Sequence, residues 1–420
     1  MEIELSPDLA TDRKANEAAD IVRRCVHCGF CTATCPTYQL LGDERDGPRG
    51  RIYLIKQMLE GESVTMQTQQ HLDRCLTCRN CETTCPSGVN YGRLVDIGRE
   101  FVEKKVKRPL GQRIARGLLR EGLTSPFFAP AVRLGGRVKS LLPDVLASKL
   151  PMEESPSFHK KRVWPSRSHA RKVILLNGCV QPSLLPGIDL ATAWVLDALE
   201  VQALVVQASG CCGAVRHHLA DADGALNQVR RNVDAWWPLL QSGAAEAILV
   251  NASGCAVMVQ DYGHLLAHDP AYAPKAALVS ERALDPVVFL KPMLARLQAI
   301  LEARPKKPVV PKVSYHAPCT QQHGMKCRGE VEEFLGQLGV KVLPVADSHL
   351  CCGSAGTYSV LQPVLAKTLR DNKLQALSAS GPDRILSANV GCISHLQSGS
   401  HLLVQHWLEW LDQALHGEQT

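Results

Sequence analysis

The chain has 420 residues, enough for two or three domains with cores of their own. Apolar residues make up 45 % and aromatics 5 %, and no apolar run approaches the roughly 18 residues of a spanning helix, so the composition is soluble and globular and excludes an integral membrane protein. The formal charge of +6 is unevenly spread, because Phe101 to Lys172 holds 17 Lys or Arg against 5 Asp or Glu and leaves the remainder acidic.

The first residues, MEIELSPDLATDRK, have neither the basic start nor the apolar stretch of a secretory signal, so a reducing cytoplasmic compartment and free thiols are expected. Two cysteine runs follow, Cys25-x2-Cys28-x2-Cys31-x3-Cys35-Pro36 and Cys75-x2-Cys78-x2-Cys81-x3-Cys85-Pro86. Cysteines at i, i+3 and i+6 on a tight loop can aim three thiolates at one [4Fe-4S] cube, whose last iron needs a more distant ligand. In two-cluster ferredoxins that ligand crosses over, which predicts Cys25, Cys28, Cys31 and Cys85 as one set and Cys75, Cys78, Cys81 and Cys35 as the other. Each proline turns the chain away afterwards. Zinc sites use C-x2-C pairs instead, and an odd total of 17 cysteines argues against a closed disulfide framework.

Inside the first run, His27 and Phe30 stand where side chains shield a cube, although packing alone also accounts for Phe30. Arg49 and Arg51 follow a Gly-Pro turn and are expected to open a helix running to Leu59. A guanidinium beside an anionic cluster would raise its potential; a solvated helix start explains the two arginines as well.

The basic stretch is broken by Pro109, Pro126, Pro130, Pro143, Pro151, Pro156 and Pro165, with helix-like pieces at Arg113 to Arg120 and Val132 to Leu142. It is expected to be a linker, either docking on anionic lipid headgroups or an acidic partner, or simply a solvated connector. It has no interleaved aromatics or reader motif, so nucleic acid is not an expected partner.

The second half contains an internal repeat. Cys179 is followed 32 residues later by Cys211-Cys212-Gly213, and Cys319 by Cys351-Cys352-Gly353 at the same interval. Gly254-Cys255 and Gly391-Cys392 complete the two copies. Apolar, β-branched runs at Lys172 to Leu176, Val201 to Val206 and Ala247 to Val250 precede the cysteines of the first copy. Lys312 to Tyr315, Val340 to Val345 and Arg384 to Leu386 repeat them. Helical stretches at Asp189 to Glu200, Gly329 to Leu338 and Pro363 to Leu377 intervene. This alternation predicts parallel sheets with helices on both faces, and places the cysteines at the carboxyl ends of strands, where ligands collect. Vicinal thiols on a glycine-bearing loop suit a metal cluster or an attack on a disulfide, and buried inert thiols are the plainer alternative. Cys327 has no repeat partner and is expected to be structural.

Two ferredoxin runs joined to two Cys-Cys-Gly units resemble a family of iron-sulfur electron-transfer subunits, found in heterodisulfide reductase, anaerobic glycerol-3-phosphate dehydrogenase and glycolate oxidase. The resemblance covers nearly the whole chain, and Cys25 to Cys35, Gly42 to Ile52 and His71 to Gly88 resemble the glycolate oxidase branch. Heterodisulfide reductase units end in Cys-x-x-Cys, but here Met258 and His395 replace the last cysteine. Each unit therefore keeps four, Cys179, Cys211, Cys212 and Cys255, or Cys319, Cys351, Cys352 and Cys392, which can serve one ordinary cluster per unit, one shared site or none. His395 is a possible further ligand or an ordinary loop histidine.

The chain has no strand followed by G-x-G-x-x-G, so FAD is expected only in partner subunits. The resemblance implies that flavoprotein partners oxidise glycolate to glyoxylate while this subunit passes electrons to a quinone or other acceptor at the inner face of the cytoplasmic membrane, associating with it peripherally. A glycerol-3-phosphate or D-lactate dehydrogenase subunit, and a disulfide-reducing one, are the alternatives. The expected organisation is a helical two-cluster ferredoxin-type domain over 1–100, a basic helical linker over 101–170, and duplicated α/β, Rossmann-like cysteine-rich units over 171–310 and 311–420.

Overall fold

Short helices form the N-terminal region because the cysteine runs leave room for little else. Helix α1 (Arg13–Arg23) is capped by the Asp12 carboxylate, which accepts from Ala15 N, and buries Ala15, Ala18, Ala19 and Val22. Each cysteine run is a loop closed by a single turn, α2 (Phe30–Ala33) in the first and, further on, Asn80–Thr84 in the second. Pro36 opens α3 (Pro36–Leu41), where its missing N–H is no loss. Helix α4 (Pro48–Leu59), whose start at a Gly-Pro turn follows the sequence expectation, crosses α5 (Met66–Asp73) and, after α6 (Asn80–Thr84), α7 (Tyr91–Lys105). Ile52, Ile55, Leu59, Leu72, Leu94 and Val102 fill the core between them.

The computed structural model describes residues 1–125, 127–137, 162–304 and 311–417. The first part of the linker is helical, as α8 (Leu110–Gly122) and α9 (Phe128–Arg137), whereas residues 162–170 form no helix or strand. The predicted piece from Val132 to Leu142 is described only to Arg137, and Pro126, Pro143, Pro151 and Pro156 lie outside the described residues. Helix α8 is amphipathic with its sides reversed. Arg116 faces Asp73, Arg120 faces Asp221 and Glu121 pairs with Arg216 on the body of the protein, while Leu110, Ile114 and Leu118 point to solvent.

Each cysteine-rich unit is a four-stranded, all-parallel sheet. The first has the order β2-β1-β3-β4, with β1 at Arg171–Leu175, β2 at Val201–Leu204, β3 at Ile248–Leu249 and β4 at Ala283–Leu284. The second has the order β6-β5-β7-β8, with β5 at Lys312–His316, β6 at Lys341–Leu343, β7 at Arg384–Ser387 and β8 at Val404–His406. Ile174 faces both Leu204 and Ile248, and Ser314, at the equivalent position, both Leu343 and Ile385, so the pairing of β1 with β3 and of β5 with β7 has the same register. The mixed helical and parallel α/β class follows the sequence expectation. The edge strands β4 and β8 do not: two residues in one and Val-Gln-His in the other carry no β-branched run, and neighbouring backbone recruits them.

The two units share one core. Val173 and Leu175 of β1 pack with Val313 and Tyr315 of β5, and Trp407, Leu408 and Leu411 of the last helix complete the cluster. That helix (Trp407–His416) packs on Gly187–Ala198 of the first unit.

Gly353 shows why the Cys-Cys pair must end in glycine. Its φ is +85°, and a Cβ there would stand 2.6 Å from the Ala366 carbonyl oxygen. Gly356, at φ +60°, has open space instead. A left-handed backbone costs an L-residue about 1 kcal/mol, so Gly356→Ala is expected to lower the melting temperature by about 2–4 °C. Gly353→Ala adds a backbone collision and should lower it at least twice as far in the same thermal scan. Equal shifts would mean that close approach is not what demands the glycine.

Candidate functional site

The two ferredoxin-type loops have one backbone shape. In the first, His27 and Gly29 take φ of +55° and +83°; in the second, Thr77 and Arg79 take +52° and +59°. Three of the four are not glycine, so the left-handed conformation is strained and must be held by its surroundings. Such alternation turns successive N–H groups inward and forms a concave nest for an anion, a form recurrent at iron-sulfur sites. All eight cysteines are free thiols.

Their grouping crosses between the runs. Cys31 has Cys25, Cys85 and Cys28 as its charged neighbours, and the same four line one cavity together with Cys81, Arg49 and Ile52. Cys81 is surrounded by Cys78, Cys75 and Cys35. Burial, then the Cys25 sulfur, pushes the Cys31 thiol up to about 11, and burial, then the Cys78 sulfur, holds Cys81 well above the ordinary thiol range. Thiols packed so closely resist ionisation until a cation joins them, so this donor set suits an iron-sulfur cluster.

The groups around the two sets differ. Arg51 is 1 % exposed, which overturns the solvated helix start for this residue. Its Nε donates to the His71 carbonyl at 2.7 Å, both Nη atoms reach Thr37 Oγ1 at 3.2 Å, and it lies beside Cys75 and Cys35. Thr37 Oγ1 in turn touches Cys35 Sγ at 3.3 Å. The Asp46 carboxylate neutralises Arg51 at 3.5 Å and also meets His71 Nδ1 at 2.9 Å and Arg74 at 2.8 Å. Arg49, by contrast, pairs with Glu44 at 2.6 Å and lies over Gly29. Phe30 is 60 % exposed, so core packing is not its role. It forms a solvent-facing rim with Val26, His27 and Cys28.

In the duplicated units the cysteines fall at the carboxyl ends of strands. Cys179 follows β1, Cys211 and Cys212 follow β2, and Cys255 lies in the first turn of the helix Ser253–Gln260 after β3. Cys319, Cys351, Cys352 and Cys392 occupy the same places around the second sheet. Cys179 and Cys211 Sγ are 3.3 Å apart, Cys319 and Cys351 Sγ 3.7 Å. Cys211 is held below the ordinary thiol range because the thiols of Cys179 and then Cys212 donate to its sulfur.

The second set adjoins the ferredoxin-type region. Leu76, Cys319, Cys351 and Tyr358 form one buried cluster with Cys78 against it. Asn80 Nδ2 donates to the His349 carbonyl at 3.2 Å, and Thr83 Oγ1 meets His323 Nδ1 at 3.0 Å.

His395 turns its Nε2 to the Ala366 carbonyl at 3.1 Å, and Met258 is core. Cys327 is buried, which raises its thiol to about 12. The histidine that does face the cysteines is His316, whose ligand atom lies within 4.8 Å of the Cys352 and Cys392 sulfurs. Sequence reasoning passed over it. The available signal was a histidine three residues before Cys319 where the first copy has Leu176.

A separate cavity opens between the ferredoxin-type region and the first unit, lined by Thr77, Arg79, Asp96, His217, His218 and Met258 among others. Although burial opposes it, His218 and His217 hold the Asp96 carboxyl well below the usual range.

Comparison with known proteins follows the same division. Residues 21–89 match the family described as a 4Fe-4S dicluster domain, and residues 173–260 and 313–397 each match the cysteine-rich domain family. Over its whole length the chain is 51 % identical to the whole of the glycolate oxidase iron-sulfur subunit of Escherichia coli (strain K12). It is 29 % identical to the probable glycolate oxidase iron-sulfur subunit of Bacillus subtilis (strain 168), over 89 % of this chain and 88 % of that one. Lactate utilization protein A of an Exiguobacterium species is 24 % identical across 98 % of its own length and 58 % of this chain.

Proposed function

We propose an electron route for this chain from one premise: it belongs to the family of glycolate oxidase iron-sulfur subunits. It is the iron-sulfur electron-transfer subunit of an oxidoreductase complex, with other subunits as its partners. Flavoprotein partners would oxidise glycolate to glyoxylate and hand over electrons one at a time. When bound, the two [4Fe-4S] clusters supply one-electron transfer. Cys25, Cys28, Cys31 and Cys85 would hold one, and Cys75, Cys78, Cys81 and Cys35 the other. The eight cysteines of residues 171–310 and 311–420 are the secondary ligand candidates.

The observation that carries the direction is the contrast in exposure between the sets. Cys28 is exposed within an apolar rim of Val26 and Phe30, while Cys35, Cys75 and Cys81 are buried and Cys78, only partly exposed, adjoins Cys319 and Cys351. An exposed apolar rim suits docking of a donor subunit, and the covered set suits onward passage. A quinone acceptor would find both a buried approach and proton-bearing groups at the cavity of Thr77, Asp96, His217 and His218, next to the Cys78 loop. The test is glycolate-dependent bleaching of the cluster absorption in the anaerobically assembled complex. Absence of iron, or iron that glycolate and the flavin subunits leave oxidised, would sink the reading.

Among the described residues no helix is long and apolar enough to cross a membrane. Peripheral contact through α8 is the form of association that fits, since its Leu110, Ile114 and Leu118 face outward with Arg113 beside them. Ile114→Asp with Leu118→Asp is expected to weaken co-sedimentation with phosphatidylglycerol-containing vesicles at least tenfold without lowering iron content. Unchanged sedimentation would remove α8 from the membrane contact.

A further inference from the structure

His316 closes strand β5 and is 2 % exposed, yet among the described residues neither of its ring nitrogens has a hydrogen-bond partner. Buried polar groups are paired in the great majority of cases, and an orphan needs a specific reason. The reason lies in what the ring faces. Its ligand atom, Cys352 Sγ and Cys392 Sγ all lie within 4.8 Å of one another. A tetrahedral ion with bonds of about 2.3 Å to sulfur and about 2.0 Å to imidazole spaces its ligands by roughly 3.5–3.8 Å. That compactness suits one metal atom held by all three. A water molecule suits the place less well, because thiols are weak partners for it.

The three groups are fixed from behind. The His316 carbonyl accepts from Ser387 Oγ at 2.9 Å, which pins the end of β5 against β7. Asn389 Nδ2 donates to the Cys392 sulfur at 3.3 Å at the start of its helix. The left-handed turn at Gly353 sets the loop that carries Cys352. Ligands on strand ends and a helix start hold their geometry better than ligands on free loops. The first unit offers no such arrangement, since Leu176 stands at the matching position and is packed in the core.

We propose that His316, Cys352 and Cys392 bind one metal atom through imidazole and thiolate. The two cysteine-rich units are then unlike, and only the second has a mixed nitrogen and sulfur site. The metal is a soft cation, either a lone zinc ion or one iron of a cluster. The proposal goes beyond electron passage through the two N-terminal sets and fails or holds separately from it.

The experiment compares the full-length chain with His316→Leu, the residue the first unit tolerates, and His316→Cys, which restores a ligand without nitrogen. Iron and zinc are counted per chain after anaerobic purification, and the ligands are read by X-ray absorption at the metal edge and by nitrogen coupling in pulsed EPR. The expected result is metal above the about eight irons of two cubes. Zinc with one nitrogen neighbour identifies the lone ion, and extra iron with nitrogen coupling identifies the cluster. His316→Leu should lose that increment while keeping the eight irons, and His316→Cys should regain it without the nitrogen signal. Wild-type protein with no metal beyond eight irons, or an increment and nitrogen signal that survive in His316→Leu, would overturn the proposal while leaving the N-terminal reading intact. If His316→Leu fails to fold, a nitrogen signal persisting in His316→Cys overturns it equally.

Discussion

Cys28→Ala and Cys85→Ala together are expected to leave about four of the about eight irons in place, although the two residues belong to different runs. Cys85 lies with Cys25, Cys28 and Cys31, so both substitutions strike one set and spare the other. If each run held its own cluster, the same pair would damage both, and iron would fall towards zero. Cys28→Ala with Cys81→Ala is the opposite case and should strip both sets. The functional loss should be large in either double variant, because the exposed set is where a donor can dock. Reduction by the flavin subunits is expected to drop at least a hundredfold with Cys28→Ala and Cys85→Ala, even though the covered set keeps its iron. Four irons with undiminished reduction would move the entry point to the covered set and contradict the proposed direction.

Most of this arrangement was legible as residue spacing, and what was missed was set by tertiary contact. The runs from Cys25 and Cys75 announce themselves because three thiols at intervals of three have few other uses. The helix from Pro48 was readable from its Gly-Pro start. What spacing does not carry is which side of α4 faces inward, so Arg51 stays open between a cation beside a cluster and a solvated helix start until Asp46, His71 and Thr37 are seen around it. Phe30 is decided the other way, since an aromatic inside a cysteine run also reads as core packing but stands in an exposed rim. Strands β4 and β8 were invisible because sheet edges are recruited by backbone pairing, and two residues such as Ala283 and Leu284 carry no pattern. His316 was hidden for a similar reason: its partners Cys352 and Cys392 are distant in sequence, and the register of β5 against β7 brings them together.

Asp46→Ala is expected to unfold the ferredoxin-type region or leave it barely stable. The Asp46 carboxylate is fully buried and is the anion for Arg51, Arg74 and His71 at once. Removing it leaves the Arg51 guanidinium buried beside Thr37 and the His71 carbonyl with no counter-charge except the cysteine sulfurs. Breaking a buried pair from one side costs about 3–5 kcal/mol, a large part of the about 5–15 kcal/mol that holds a domain together. Chemical denaturation of the iron-loaded chain should show the transition of this region at much lower denaturant, with loss of iron from the set of Cys75, Cys78, Cys81 and Cys35. Arg51→Met removes the opposite partner and leaves Asp46 still engaged by Arg74 and His71, so its cost in stability should be smaller. Its effect on the cluster should be the clearer one. A cation beside Cys35 and Cys75 favours the reduced, more negative state, so its loss should move that cluster to more negative potential in a redox titration while the exposed set stays where it was. An unchanged potential with a large loss of stability would make Arg51 a purely structural cation. If both potentials shifted equally, the crossed grouping of the cysteines would have to be redrawn.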